Sequence, residues 1–144
     1  MEFGAGSGNL TFPLAAKDRT VLALEYDQLS LLGLSKTLQE QPQFQKRIQL
    51  QAGDFQRKKK INFQNFQGIL VNPPRSGLVD FLNPLFEIAQ LQRPESFIYM
   101  SCYKDSFIKD SGVLKKLGYK PTKITLVDQF PQRPHIEILS LWQL

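Results

Sequence analysis

Cys102 is the single cysteine of the chain, and it directly follows the apolar run Ser96 to Ser101. A lone cysteine is most often a small core residue. At the carboxyl end of a strand, where open α/β sheets bind their ligands, it is instead placed to act as a nucleophile through its thiolate. His135-Ile136-Glu137 opens the last apolar run, Ile136 to Trp142. Strand alternation sets His135 and Glu137 on one face, with Ile136 and Ile138 on the other. The pair reads either as a surface pair or as an acid–base pair, since a neutral imidazole and a carboxylate both accept protons. Asn72-Pro73-Pro74-Arg75 ends another apolar run, Gly68 to Val71. Two consecutive prolines stiffen that exit and hold neighbouring groups still. Arg75 suits a phosphate or a carboxylate better than the face of a base.

Near the start, Gly4-Ala5-Gly6-Ser7-Gly8-Asn9 forms a G-x-G-x-G turn. Glycines let a backbone bend sharply and come close to a ligand, and the place of the turn between a strand and a helix favours that reading over a tight turn without a ligand. Glu25 ends the run TVLALE. A carboxylate at that point can accept hydrogen bonds from both ribose hydroxyls of an adenosine cofactor with a free 2′-hydroxyl. Dinucleotide and S-adenosylmethionine binding fit these features equally. Asp54, just after the run Arg47 to Gln51, either accepts from an adenine amino group or serves as a turn or cap residue.

These groups need elements to hold them. Met1-Glu2-Phe3 leaves room for only part of a first strand before the glycine loop. The expectation is a truncated first strand, with residues 1–144 forming one domain, the C-terminal fragment of a longer protein. A helix is expected over Asn9 to Lys17, a strand over Thr20 to Glu25, and a helix over Gln28 to Gln39 with Leu31, Leu34 and Leu38 at helical spacing. Arg47 to Gln51 and Gly68 to Val71 read as strands, Val79 to Leu91 as an amphipathic helix, and Ser96 to Ser101 as a strand. Asp105 to Leu117 reads as a helix stopped by Gly118. Ile124 to Val127 and Ile136 to Trp142 have no helix between them and are expected to pair as an antiparallel hairpin. Alternation of this kind predicts an α/β fold, a mostly parallel sheet with helices on both faces. Every unusual residue above then falls at the edge where such sheets bind ligands.

Composition narrows the classes. Of 144 residues, 42% are hydrophobic and 22% charged, which is globular rather than disordered. One cysteine excludes an internal disulfide, a four-cysteine zinc site and an iron–sulfur cluster held by the chain's own thiolates, and no metal site is expected. No apolar run reaches membrane-spanning length and no signal peptide opens the chain, so the expected location is cytoplasmic, without a membrane partner. Eighteen basic against thirteen acidic side chains favour a polyanionic partner such as nucleic acid. The densest basic run, Arg57-Lys58-Lys59-Lys60, reads as a solvated loop able to touch phosphates.

Five segments, in order, carry a resemblance: FGAGSGNLTFPLA, LALEYD, VNPPRSGL, YMSCYKDSFIKD and DQFPQRPHIEIL. Together they cover most of the chain and are similar to the RNA 5-methyluridine (uracil-C5) methyltransferases of ribosomal and transfer RNA. The arginine after the two prolines, the serine–cysteine pair and the ending from Asp128-Gln129-Phe130-Pro131 through His135 and Glu137 are the marks of that family. The resemblance implies a Rossmann-like class I fold that uses S-adenosyl-L-methionine. It implies that Gly4, Gly6, Gly8, Asn9, Glu25, Asp54 and Asn72 hold the cofactor. Cys102 becomes the nucleophile, Glu137 the general base, and Arg75 and His135 substrate contacts on rRNA or tRNA. The chemistry agrees. C5 of uracil is a poor carbon nucleophile until a thiolate adds at C6, and a base must then remove the C5 proton.

The sequence departs from the family at three places. Asn72 replaces an aspartate, which leaves the position polar but uncharged. Tyr103-Lys104 stands where Asn-Pro is common, and Arg133 where a small hydroxyl residue is usual. Two other readings follow. One is an amine methyltransferase, in which an Asn-Pro-Pro motif grips an amino group and the aromatic that follows stacks on the base; here Arg75 replaces that aromatic. The other is a non-catalytic domain that binds RNA or S-adenosylmethionine. Arg75 and the pair Cys102 and Glu137 speak against the first, because direct transfer to an amine needs no thiol.

Overall fold

Short apolar runs separated by glycine turns pair side by side in the N-terminal part of the chain. The computed structural model describes residues 1–54, 62–63, 65–78, 81–128, 132 and 136–144. They belong to two compact units, residues 1–58 and 59–144. In the first unit, β1 (Glu2–Phe3), β2 (Val21–Glu25) and β3 (Ile48–Ala52) are parallel, with Phe3 opposite Leu24 and Glu25 opposite Ala52. All three therefore end at the same edge. The short β1 is as expected.

The first helix, α1, spans only Thr11–Ala15, shorter than the expected Asn9 to Lys17. No side chain caps its start, and Asp18 turns left-handed at φ 57° just beyond it. The Asp18 carboxylate meets Arg47 at 2.7 Å. Helix α2 (Gln28–Glu40) starts where expected, because the Asp27 side chain accepts from the Ser30 N–H at 2.8 Å. That bond also holds the Asp27 carboxyl below its ordinary pKa. Leu34 is fully buried while Leu31 and Leu38 are half-buried. A short α3 (Pro42–Gln45) follows. The core gathers Ala5, Ala15, Val21, Ala23, Leu34 and Ile48, with Phe12 and Phe44 meeting edge-on at 5.4 Å on its border.

In the second unit, β4 (Gly68–Val71) and β5 (Ser96–Ser101) are parallel, with Val71 opposite Tyr99. β7 (Glu137–Gln143) lies antiparallel between β5 and β6 (Lys120–Val127), giving the order β4-β5-β7-β6. The expected C-terminal hairpin is thus present. Its first strand is longer than the expected Ile124 to Val127 and carries an irregularity between Pro121 and Lys123.

The amphipathic helix expected over Val79 to Leu91 is not there. Val79 and Asp80 lie outside the described residues; beyond them only α4 (Asn83–Phe86) and a single 3₁₀ turn, Gln90–Gln92, are helical. Pro84 lacks an N–H to donate into a continuing helix and is accommodated in a first turn, so a helix begins there more readily than it continues through. Arg93 completes the segment by donating to the carbonyls of Leu85 at 2.8 Å, Ile88 at 2.9 Å and Leu117 at 2.6 Å. Helix α5 (Lys104–Lys116) ends as expected: Tyr119 N–H donates to Leu114 and Gly118 N–H to Lys115. The core is a chain of aromatic edges. Phe63, Phe81, Phe97 and Tyr119 follow one another at 5.8, 6.4 and 6.0 Å. Burial pushes the Tyr119 hydroxyl up to about 12, and it donates to the Pro94 carbonyl at 2.7 Å.

Candidate active site

At the carboxyl edge of the first unit, the glycine loop leaves β1 and folds back on the end of β2. The N–H groups of Gly4 and Ala5 both donate to the Leu24 carbonyl. Gly8 takes φ +96°, and a Cβ added there would stand 2.5 Å from Leu34 Cδ1 and 2.9 Å from Phe12 Cε2. The loop therefore packs tightly on α2 on one side. On the other side, a Cβ added at Gly6 meets nothing within 4 Å. An open cradle beside the backbone is the space a nucleoside cofactor needs.

Glu25 is buried, and its carboxylate is already engaged. One oxygen accepts from the Gly6 N–H at 2.7 Å; the other accepts from Tyr26 at 2.8 Å and Asp27 at 2.7 Å. A carboxylate has roughly four acceptor positions, so one remains for an incoming hydroxyl. Glu25 thus shapes the loop as well as facing the edge. Asn9 is exposed and Asp54 is half-buried just beyond β3. The residues present fit an adenosine-bearing group: an open glycine cradle with a fixed carboxylate beside it.

In the second unit, three strand ends converge. Parallel pairing brings the exits of β4 and β5 to one edge, so Asn72 and Cys102 leave on the same side. Antiparallel pairing sets Ser101 opposite Ile138. Cys102, in the bend just past the end of β5, and Glu137, the first residue of β7, are the next residues of the two chains. Ser101 and Ile138 are buried on one face of the sheet, so alternation within β7 directs Glu137 to the other. Cys102 and Glu137 are both half-buried, reachable yet partly shielded. Arg75 is exposed in the turn that follows Pro74, closed by the Gly77 N–H donating to the Pro74 carbonyl at 2.9 Å. Ser101 Oγ and Ser106 Oγ both donate to the Tyr103 carbonyl, at 3.0 and 2.9 Å, fixing the backbone around the cysteine.

His135 lies outside the described residues, as do Arg133 and the basic run Arg57 to Lys60. Two buried carboxyls escaped the sequence reading. Glu2 immediately precedes the glycine loop region, and burial raises its pKa. Asp110 sits fully buried on α5, and burial again raises it. An acid at a position whose neighbours are apolar was the available signal at Glu2. Asp110 lies among lysines in a polar helix and gave none.

The model of the family described as tRNA (uracil-5-)-methyltransferase matches residues 1–143. An uncharacterised RNA methyltransferase of Bdellovibrio bacteriovorus is 50% identical over 147 residues, covering 99% of this chain and 38% of that protein. A 23S rRNA (uracil(1939)-C(5))-methyltransferase of Haemophilus parainfluenzae is 29% identical over 147 residues, with 99% and 32% covered. The chain therefore spans about a third of the length of these curated relatives. Among solved structures, the Pyrococcus abyssi tRNA (uracil-54, C5)-methyltransferase in complex with S-adenosyl-L-homocysteine is similar, with a TM-score of 0.79 at 20% identity, over 98% of this chain and 33% of that one. This likeness gives the fold: a Rossmann-like class I methyltransferase sheet, mostly parallel, with an antiparallel pair at its C-terminal end.

Proposed function

The chain belongs to the tRNA (uracil-5-)-methyltransferase family, and from that premise we propose that it methylates C5 of uracil in ribosomal or transfer RNA. The observation that carries this reading is the register of β5 and β7, which ends with Ser101 opposite Ile138 and so brings Glu137 to the end of the strand from which Cys102 leaves. A thiol beside a carboxylate at a strand-end edge has no use in direct transfer to an amine. It suits a pyrimidine carbon that needs activation and then loses a proton.

S-adenosyl-L-methionine supplies an electrophilic methyl when bound. The backbone at Gly4, Gly6, Gly8 and Asn9 would border it, Glu25 would offer its remaining acceptor position to the ribose, and Asp54 would accept from the adenine amino group; Asn72 is a further cofactor contact that the family resemblance implies. Arg75 holds an RNA phosphate bidentately, and His135 contacts the substrate. The Cys102 thiolate adds to C6 of uracil, placing the electron pair on C5 and O4. C5 would take the methyl group with that electron pair, and S-adenosyl-L-homocysteine would leave with the electrons of the broken sulfur–carbon bond. Glu137 then accepts the C5 proton, the C5–C6 double bond re-forms, and the cysteine leaves as thiolate. The chain's excess of basic side chains, eighteen against thirteen acidic, favours an RNA partner. Among the described residues, no helix is long and apolar enough to cross a membrane. A free cysteine that must stay reduced suits the cytoplasm.

The test is methyl transfer from labelled S-adenosyl-L-methionine to uridine-containing RNA, followed by nucleoside digestion. Label should appear in 5-methyluridine with the wild-type chain and vanish with Cys102→Ala. Label in a methylated amine of adenine, guanine or cytosine instead would support the amine-methyltransferase reading.

A further inference from the structure

Asp110 has no role in the chemistry above, yet it touches the backbone of the turn that carries Arg75. Its Oδ2 accepts two hydrogen bonds, from the Leu78 N–H at 2.9 Å and from the Tyr99 hydroxyl at 2.6 Å. Leu78 directly follows the turn from Pro74 to Gly77, which has Arg75 inside it. Gly77 lies against the same carboxylate: its φ is +81°, and an added Cβ would stand 2.5 Å from Asp110 Oδ2. Tyr99 belongs to β5, the strand that ends at Cys102, and its carbonyl accepts from Ser140 Oγ of β7 at 3.1 Å. One oxygen thus joins the Arg75 turn, the cysteine strand and α5. The other oxygen, Oδ1, is buried with no hydrogen-bond partner among the described residues. A buried carboxyl with an unpaired oxygen is a poor stabiliser of a fold. Its geometry instead matches a requirement for position.

We propose that Asp110 is a positioning residue that sets the Arg75 turn against the Cys102 strand by anchoring Leu78 and Tyr99 on a single oxygen. The proposal rests on the uracil-C5 reading, in which Arg75 holds RNA while Cys102 adds to the base. A displacement of about 1 Å between such groups lowers a rate by about 100-fold. Asparagine can keep the accepting oxygen in place, whereas alanine removes it.

The experiment compares Asp110→Ala, Asp110→Asn and Tyr99→Phe in the full chain, with two readouts. Hydrogen exchange at the Leu78 amide reads the anchor directly and needs no substrate. Steady-state methylation of uridine RNA separates kcat from the KM for S-adenosyl-L-methionine. In Asp110→Ala, Leu78 should exchange about tenfold faster, the equivalent of about 1.4 kcal/mol for one lost bond. Its kcat should fall by roughly 10- to 100-fold, with the cofactor KM within about twofold of wild type. Asp110→Asn should recover both to within about threefold, a rescue that general loss of folding would not give. Tyr99→Phe keeps the Leu78 anchor, so it should leave Leu78 exchange unchanged and lower kcat. A folded Asp110→Ala protein with wild-type kcat, or with wild-type exchange at Leu78, overturns the proposal. Should that variant not fold, an Asp110→Asn protein without Leu78 protection, or a Tyr99→Phe protein with wild-type kcat, overturns it equally. If the wild-type chain methylates no uracil, the functional reading fails, while Leu78 exchange still decides whether the anchor exists.

Discussion

Replacing Glu25 by glutamine tests whether one carboxylate both shapes the glycine loop and serves the cofactor. Glu25 is 9% exposed and accepts three backbone N–H groups, from Gly6, Tyr26 and Asp27. Glutamine has one carbonyl oxygen, enough for Tyr26 and Asp27, and its NH₂ then faces the Gly6 N–H, donor against donor. Turning the amide over is worse, because two N–H groups then meet the NH₂. The bond lost is charge-assisted, worth about 1.5–3 kcal/mol. At this chain length each kcal/mol shifts the melting point by about 2–4 °C, so Glu25→Gln should melt roughly 3–12 °C below wild type without any ligand. Calorimetry should show S-adenosyl-L-methionine bound about tenfold more weakly or worse, one lost bond being worth about 1.4 kcal/mol. A variant that melts within about 1 °C of wild type and binds the cofactor equally would refute the reasoning on both counts.

Gly8→Ala should destabilise the chain by about 1–3 kcal/mol in denaturant melts, because the new methyl meets Leu34 and Phe12 in a left-handed backbone; an unchanged midpoint would mean the loop is looser than described. Burial raises the carboxyl pKa of Asp110 above its ordinary 3.8 and that of Glu2 above 4.5. A raised folded-state value favours folding below the ordinary pKa, and that contribution is lost as pH rises through the raised value. Wild-type stability relative to Asp110→Asn should therefore decline from pH 4 to pH 7, and a gap that stays constant with pH contradicts the shift. Glu137→Gln should add to the pyrimidine and accept the methyl but stall before releasing Cys102, so a protein–RNA band should survive denaturing electrophoresis. Normal turnover by that variant would move the base elsewhere, with His135 the next candidate.

The strands were legible because they rest on local patterns. Gly68–Val71 and Ser96–Ser101 are bounded as the apolar runs predict, and Gly118 stops α5 as a glycine cap should. The helix expected over Val79 to Leu91 does not form because Pro84 interrupts the apolar spacing, and because the Arg93 side chain satisfies carbonyls far along the chain. Neither effect has a helical period. Bringing Glu137 to the end of the strand that precedes Cys102 needed β7 to insert between β5 and β6, a long-range choice that alternation within one strand cannot reveal. The extra bonds of Glu25 and the anchoring by Asp110 were hidden for the same reason. Both depend on backbone N–H groups, which have no letter in the sequence.

The central claim is that Cys102 bonds to the pyrimidine, and the most direct measurement is the intact mass of the chain after incubation with S-adenosyl-L-methionine and an RNA carrying 5-fluorouridine. Fluorine at C5 leaves no proton for Glu137 to remove, so elimination is blocked and the thioether persists. The account predicts a denaturation-stable adduct with the mass of one methylated RNA, mapped to the peptide containing Cys102 and absent from Cys102→Ala. Methylation of ordinary uridine RNA by Cys102→Ala, or an adduct on any other residue, would contradict it.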